Sequence, residues 1–165
     1  MSQENAPEIY PWRQWDITAR AIVAYMDHML SGTVSISLLD AEVLDELASS
    51  SEPRRMCDLG QSVAFTRSGM TRAIARLENL GLVERTPSSS DRRSMLVSLT
   101  PEGKRTQQKA AVITQEYGAQ LFGTVATADE RRRVEQIALD LRAEMEARQS
   151  ELIKQGDEDA SPCGR

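Results

Sequence analysis

The segment 56–99 constrains the fold most, because two short helical patterns in it are followed at once by two short strand patterns. Apolar residues at helical spacing recur twice, first at Met56, Leu59 and Val63 and then at Met70, Ile74 and Leu77. Residues 82–85 and 95–99 then have the length and composition of strands, and a polar, serine-rich loop joins them. Two helices with a tight turn between them, followed by a β-hairpin, predict a winged helix-turn-helix.

Longer helical patterns flank this segment on both sides. Apolar residues at helical spacing predict a first helix over about 12–30, which the pair Ser31 and Gly32 is expected to end. Capping sequences mark the starts of three further helices, at Ser37, Thr100 and Thr127. The expected fold class is therefore mainly α with a small β-hairpin wing, a winged helix-turn-helix joined to a helical dimerisation domain.

The flanking helices carry more apolar surface than one small lobe can cover, which predicts a homodimer. The stripes that need a partner contain Ile113, Tyr117, Leu121, Val134, Ile137 and Leu141. The predicted domains are a disordered N-terminus at 1–10, a helical dimerisation region at 11–36 and 101–152, a winged helix-turn-helix lobe at 37–100, and a disordered tail at 153–165.

Positive charge is concentrated in the middle of an acidic chain. The 165 residues contain 20 Lys and Arg against 25 Asp and Glu, a net charge of −5. Residues 53–106 contain ten of the basic and five of the acidic residues, a balance of +5, which leaves −10 for the rest of the chain. This asymmetry is typical of a phosphate-binding face on an acidic protein. A solvated basic patch that arose by chance is the alternative.

The second short helix runs from Thr66, its expected cap, to about residue 80, and Gly81 follows where a left-handed residue is expected to end it. This helix has the side chains of a recognition helix. Hydroxyl and guanidinium groups reach base edges and phosphates in a major groove, and this helix offers them from Thr66, Arg67, Ser68, Thr71, Arg72 and Arg76. No Asp or Glu lies between Asp58 and Glu78, so no acidic side chain in this stretch repels DNA. An ordinary solvated helix face is the weaker alternative.

The loop of the predicted hairpin is the second candidate DNA-binding element. Asp91, Arg92 and Arg93 lie at its expected tip, after a run of serines. An arginine there can enter a narrow minor groove, where the negative potential is enhanced, and Asp91 can orient that guanidinium. A local salt bridge that only stiffens the turn is the alternative.

The order and spacing of these motifs resemble the MarR (multiple antibiotic resistance regulator) family. The likeness rests on the stretches 66–72, 77–83, 91–93 and 99–103, and the flanking helices extend it to about 12–148. The resemblance implies a dimer with interlocked terminal helices, a recognition helix in the major groove and Arg93 in the minor groove. It also implies a regulator, often a repressor, that a small aromatic or anionic ligand or an oxidant releases from DNA.

Trp12 and Trp15, near the start of the first helix, are the candidate ligand-binding residues. They could wall a pocket between the dimer helices and the lobe, and packing across the dimer interface is the simpler interpretation. Cys57 lies at the start of a predicted short helix, where a helix N-terminus can activate a thiol, so either an oxidation sensor or an inert capping position fits it. Cys57 and Cys163 lie far apart in the sequence and indicate reduced thiols, not a disulfide. His28 is the only histidine, which argues against a His-based metal site.

The sequence has no Gly-rich phosphate loop, paired-His metal motif or nucleophile elbow, so we expect neither an enzyme nor a bound cofactor or metal. No apolar run approaches the roughly 20 residues that span a bilayer. No secretory signal is recognisable, so a cytoplasmic location without membrane contact is expected. The expected partners are double-stranded DNA with a near-palindromic operator, a second copy of the chain, and a small aromatic or anionic effector. A constitutive or architectural DNA-binding protein without a ligand is the alternative function.

Overall fold

The structure is a computed structural model that describes residues 12–63, 66–88 and 95–156. Over these ranges the chain forms six helices and three strands. In chain order they are α1 (Trp12–Val34), α2 (Leu38–Ala48), β1 (Arg54–Arg55), α3 (Met56–Ser62), α4 (Arg67–Asn79), β2 (Val83–Pro87), β3 (Met95–Leu99), α5 (Pro101–Val125) and α6 (Ala128–Gly156). The predicted fold class, mainly α with a small β-hairpin wing, is confirmed.

The three strands form one antiparallel sheet in the order β1-β3-β2. Strands β2 and β3 pair along their whole length, with Val83 opposite Leu99 at one end. Strand β2 runs on to Pro87, two residues beyond its predicted end, and an edge strand tolerates a proline there. Strand β1, in which Arg54 lies opposite Val97, was not predicted. Two arginines after a proline carry no strand pattern, and only the pairing with β3 makes them a strand.

The hydrophobic core lies in the first of two compact units, Met1–Tyr117 and Gly118–Arg165. Its fully buried side chains come mainly from α2, α3, α4 and the sheet and include Val43, Leu44, Leu59, Ile74, Leu77 and Val97. Helices α1 and α5 add Leu30 and Ala110 to the same cluster. Each large aliphatic side chain buried in this way contributes about 1.5–3 kcal/mol, so the core fixes α4 against the sheet.

The second unit contains the end of α5 and the whole of α6, and its described apolar side chains are poorly covered. All residues of α6 from 128 to 148 are exposed. The exposed fraction is 41% for Ile137, 49% for Leu141 and 62% for Met145. Helix α6 nevertheless has a formed cap, because the Thr127 hydroxyl donates to Glu130 Oε2 at 2.7 Å.

The predicted caps are confirmed, whereas two helix ends differ from the prediction. Helix α1 continues through Gly32 to Val34, and the left-handed residue that ends it is Ser35, at φ +57°. A glycine inside a helix costs only about 1 kcal/mol, which the packing of the buried Leu30 can outweigh. Helix α6 continues to Gly156, so the first residues of the tail expected from 153 are helical.

Gly103, in the first turn of α5, presses against the backbone that precedes β2. A Cβ at this position would lie 1.8 Å from the carbonyl oxygen of Leu82. That oxygen already accepts a hydrogen bond from the Thr100 backbone N–H at 3.0 Å, and the Thr100 hydroxyl donates to the Gly81 carbonyl at 2.7 Å. Gly81 itself has φ +69°, the left-handed conformation that was predicted for it. The start of α5 is therefore fixed by direct backbone contact.

Candidate nucleic-acid interface

Helix α4 is positioned by a cap at its start and by a buried stripe along one side. Thr66 precedes the helix in an extended conformation, and its hydroxyl accepts a hydrogen bond from the Gly69 N–H at 3.2 Å. Met70, Ile74 and Leu77 have an exposed fraction of 1% or less, so this side of the helix is held by the core. The other side is the one that α4 can present to a partner.

The exposed side of α4 combines hydroxyl groups with an arginine. Thr66, Ser68, Thr71 and Arg72 are exposed and line one open depression on the surface. The hydroxyl oxygens of Thr66 and Ser68 lie 3.4 Å apart. Such groups can bind phosphate oxygens and base edges, and the helix N-terminus adds partial positive charge. Arg67, which belongs to the same prediction, is the first residue of α4.

Arg76, also predicted to contact DNA, is bound within the chain by Asp40 of α2. Its Nε lies 3.0 Å from Asp40 Oδ2 and its Nη2 lies 2.5 Å from Asp40 Oδ1. The hydrogen bond to this carboxylate raises the pKa of Arg76 above its ordinary value, against the opposing effect of burial. The sequence does not indicate this contact, because the two residues lie 36 positions apart and Asp40 also fits the cap of α2. A DNA contact by Arg76 stays a prediction.

A second ion pair joins the end of α4 to the sheet. The Arg85 guanidinium of β2 donates to Glu78 Oε2, and both side chains are about one-third exposed. This hydrogen bond lowers the pKa of the Glu78 carboxyl, and the carboxylate in turn raises the pKa of Arg85. The C-terminal end of α4 is therefore tied both to α2 and to β2.

The wing is present as the pair of strands β2 and β3, and its predicted tip lies outside the described residues. Asp91, Arg92 and Arg93 all fall in the stretch 89–94, between two described ranges. The contacts predicted for these three residues, and the orientation of Arg93 by Asp91, stay predictions.

The same arrangement of helices and strands occurs in known DNA-binding proteins. A family model described as a winged helix DNA-binding domain matches residues 36–103, which we call the winged-helix lobe. The HTH-type transcriptional regulator PrsX of Escherichia coli is 35% identical over 89 residues, which are 54% of this chain and 53% of that protein. The chain thus spans about half the length of the curated relatives it matches.

Solved structures match over most of the chain. Sco3205, a MarR family transcriptional regulator from Streptomyces coelicolor in complex with DNA, has a TM-score of 0.75 and 25% identity, over 86% of this chain and 89% of that one. The chain contains a winged helix DNA-binding domain and shares its fold with MarR family regulators. A mutant MarR from Escherichia coli complexed with operator DNA shares the fold, with a TM-score of 0.72 and 24% identity, over 84% of this chain and 98% of that one. These proteins are regulators, which agrees with the prediction that the chain is not an enzyme.

The candidate ligand-binding residues lie at the start of α1 and are surface groups. The exposed fraction is 75% for Trp12 and 48% for Trp15. Further along α1, Tyr25 meets Tyr117 of α5 edge to face, with the ring centroids 6.2 Å apart. A role of the two indoles in ligand binding stays a prediction. Cys57 is the second residue of α3, and its two interpretations also stay open.

The described part of the chain contains neither a cluster of side chains that could hold a metal ion nor a single helix that could span a membrane. No three His, Cys, Asp or Glu side chains there stand close enough to hold a metal ion. No single described helix is long and apolar enough to cross a membrane. Helices α1 and α2 reach that length and hydropathy only as a pair, bent by 74° at their junction, and α2 places Val43, Leu44 and Leu47 in the core.

Proposed function

We propose that this chain regulates transcription by binding duplex DNA as a homodimer, with α4 in the major groove. The observation that carries the proposal is the exposed side of α4, where Thr66, Ser68, Thr71 and Arg72 stand together. Recognition helices present hydroxyl and guanidinium groups from their N-terminal half to base edges and phosphates. Two proteins of similar fold carry DNA in their structures, which supports the same assignment.

The homodimer is supported by exposed apolar side chains on the terminal helices. Val125 of α5 and Ile137, Leu141 and Met145 of α6 are between 41% and 78% exposed. Ile137, Leu141 and Met145 recur every four residues along one side of α6, and a folded protein rarely leaves such an apolar stripe in water, so we assign it to an interface with a second copy. A two-fold dimer would set its two α4 helices in successive major grooves of a near-palindromic operator.

The finer proposal is a repressor that a small aromatic or anionic effector releases from DNA. It is supported by the exposed indoles of Trp12 and Trp15 and by the likeness to the MarR family. Titration of the protein–DNA complex with benzoate and salicylate tests it, with acetate as the non-aromatic control. Affinity that no acid alters would favour the constitutive or architectural alternative.

The central test is selection of DNA duplexes from a random-sequence library by the wild-type chain, followed by footprinting. The selected duplex should be a near-palindrome whose half-site centres lie about 10 bp apart. Affinity for it should fall steeply with salt, with a log–log slope of about 0.9 per phosphate neutralised. A footprint over one asymmetric half-site, or an affinity that does not change with salt, would contradict the proposal.

Two arginine variants then separate α4 from the wing. Phosphate contacts carry no direct sequence information, so Arg72→Ala should weaken all duplexes about equally and reduce the salt slope by about one per subunit. Arg93→Ala should lose most on duplexes with A·T-rich flanks, where the minor groove is narrow, and Asp91→Ala should resemble it more mildly. Equal losses by Arg93→Ala on A·T-rich and G·C-rich flanks would refute the minor-groove assignment.

A further inference from the structure

The ion pair between α4 and α2 has the geometry of a fixed support. Two nitrogens of the Arg76 guanidinium engage the two carboxylate oxygens of Asp40, at 3.0 and 2.5 Å. Asp40 is 1% exposed, whereas the side chain of Arg76 is 46% exposed. A planar guanidinium that binds a carboxylate at two points fixes direction as well as distance, which a single contact does not.

Asp40 is itself held in place by the start of its own helix. Its Oδ2 accepts hydrogen bonds from the Ser37 backbone N–H at 3.0 Å and from the Ser37 hydroxyl at 2.8 Å. Next to this cap, Asp27 of α1 accepts a hydrogen bond from the Leu38 N–H at 2.6 Å. The carboxylate that receives Arg76 therefore belongs to a polar junction that joins α1, α2 and α4.

We infer that Arg76 is a positioning residue and not a DNA contact: with Asp40 it sets the angle at which α4 enters the groove. The inference rests on the proposed function. Arg76 lies eight residues beyond Ser68, about 12 Å along the helix axis at 1.5 Å per residue. A tilt of about 5° over that length moves the hydroxyl-bearing end of α4 by about 1 Å, enough to spoil hydrogen bonds to base edges.

The other charged contact at this end of α4 cannot replace the support. The pair of Glu78 and Arg85 is about one-third exposed on both sides. Exposed ion pairs are screened by water and hold geometry weakly. A partner that is almost fully buried and accepts both nitrogens is the stronger constraint on the helix angle.

Substitution by lysine separates positioning from DNA contact. Lysine keeps the positive charge and binds phosphate as a point charge, but it cannot make the two-point contact with Asp40. The measured quantity is the ratio of the dissociation constants for a shuffled duplex and for the duplex that the wild-type chain selects. Arg76→Lys should lower this ratio at least about fivefold, the value of one good base contact. Its salt slope should stay that of the wild type.

Arg85→Lys is the matched control, because it alters the other ion pair at the same end of α4. Both side chains of that pair are about one-third exposed, so the pair should contribute little to the helix angle and the ratio should stay near that of the wild type. Asp40→Asn should reproduce the loss caused by Arg76→Lys. The double variant Asp40→Asn/Arg76→Lys should be no worse than either single variant, because both remove the same contact.

The opposite pattern would overturn the inference. If Arg76 contacts phosphate, Arg76→Lys should keep the ratio, Arg76→Gln should reduce the salt slope by about one per subunit, and Asp40→Asn should leave specific binding intact or strengthen it. Circular dichroism at the binding temperature checks that each variant is folded. If Asp40→Asn unfolds, Arg76→Lys and Arg76→Gln alone distinguish positioning from phosphate contact. A wild-type chain that selects no duplex would refute the proposed function. If the wild type selects a duplex, and Arg76→Lys and Asp40→Asn bind it as specifically as the wild type does, only this inference is refuted.

Discussion

The winged-helix lobe and helix α6 place their large apolar side chains in opposite surroundings. In the lobe, Leu44, Leu59 and Leu77 have no exposed surface. In α6, Ile137 and Leu141 are 41% and 49% exposed. The core of the lobe is covered within the chain, with Leu30 of α1 and Ala110 of α5 added to it, whereas α6 is rich in charged residues and leaves its apolar side chains exposed. The difference supports the proposal that the lobe is held by contacts within the chain and that α6 needs the surface of a second copy.

The largest expected effect is on the free energy of unfolding, when a buried leucine in the lobe core is shortened to alanine. Leu77→Ala should lower the free energy of unfolding by about 2–5 kcal/mol, because it leaves a cavity on the buried side of α4. Leu139→Ala in α6, where the leucine is 57% exposed, should change it by less than about 0.5 kcal/mol. Urea denaturation of both variants at one protein concentration measures the contrast. Similar losses in the two variants would remove the distinction between the lobe and α6.

A charge on the apolar stripe of α6 should have the next largest effect, on assembly. Leu141→Asp should raise the dimer dissociation constant at least about thirtyfold, since desolvating an unpaired polar group costs about 2 kcal/mol or more. It should weaken DNA binding in parallel, and sedimentation equilibrium measures the dissociation constant.

Leu139→Asp is the control for this prediction. Leu139 is similarly exposed but lies two residues earlier, on the opposite side of the helix from Leu141. Leu139→Asp should therefore leave the dimer intact. A wild-type chain that is monomeric at micromolar concentration would contradict the assignment of the stripe to a second copy.

The smallest effect should be a pH dependence at the start of α6. The hydroxyl and backbone N–H of Thr127 donate to the Glu130 carboxylate, and they lower its pKa below the ordinary value of 4.5. The unfolded chain therefore binds this proton more readily than the folded one. The stabilisation is complete above that ordinary value and is lost as the pH falls through the lowered one.

The matched variant for this effect is Glu130→Gln. Thermal melts followed by circular dichroism should show the wild type more stable than Glu130→Gln at neutral pH, with the difference fading in acid. Thr127→Ala should weaken the same pH dependence, because it removes the donor hydroxyl. An unchanged difference between wild type and Glu130→Gln across the acid range would show that the cap does not titrate.

The sequence was most informative about features that depend only on contacts between residues a few positions apart. The caps at Ser37, Thr66 and Thr127 were predicted correctly, because a hydroxyl and a nearby backbone N–H suffice to form each of them. The buried stripe of α4 and the left-handed Gly81 were equally local. These features place the lobe, helix α4 and the starts of α2 and α6.

The sequence was least informative where distant segments meet. Strand β1 exists because Arg54 lies opposite Val97, more than forty residues later in the chain. The contact between Arg76 and Asp40 spans 36 residues, so neither residue alone indicates it. The end of α1 at Ser35 instead of Gly32 depends on packing and not on the helix propensity of one glycine. Contacts of this kind become visible only in three dimensions.

The close approach of Gly103 to Leu82 makes the junction between α5 and the wing rigid. Backbone touches backbone there, so no side chain stands between them that could change rotamer and absorb a displacement. Close-packed protein interiors transmit strain because they compress little. A shift at the start of α5 must therefore travel into the peptide that begins β2 without being damped. We therefore expect the start of α5 and the wing to move together.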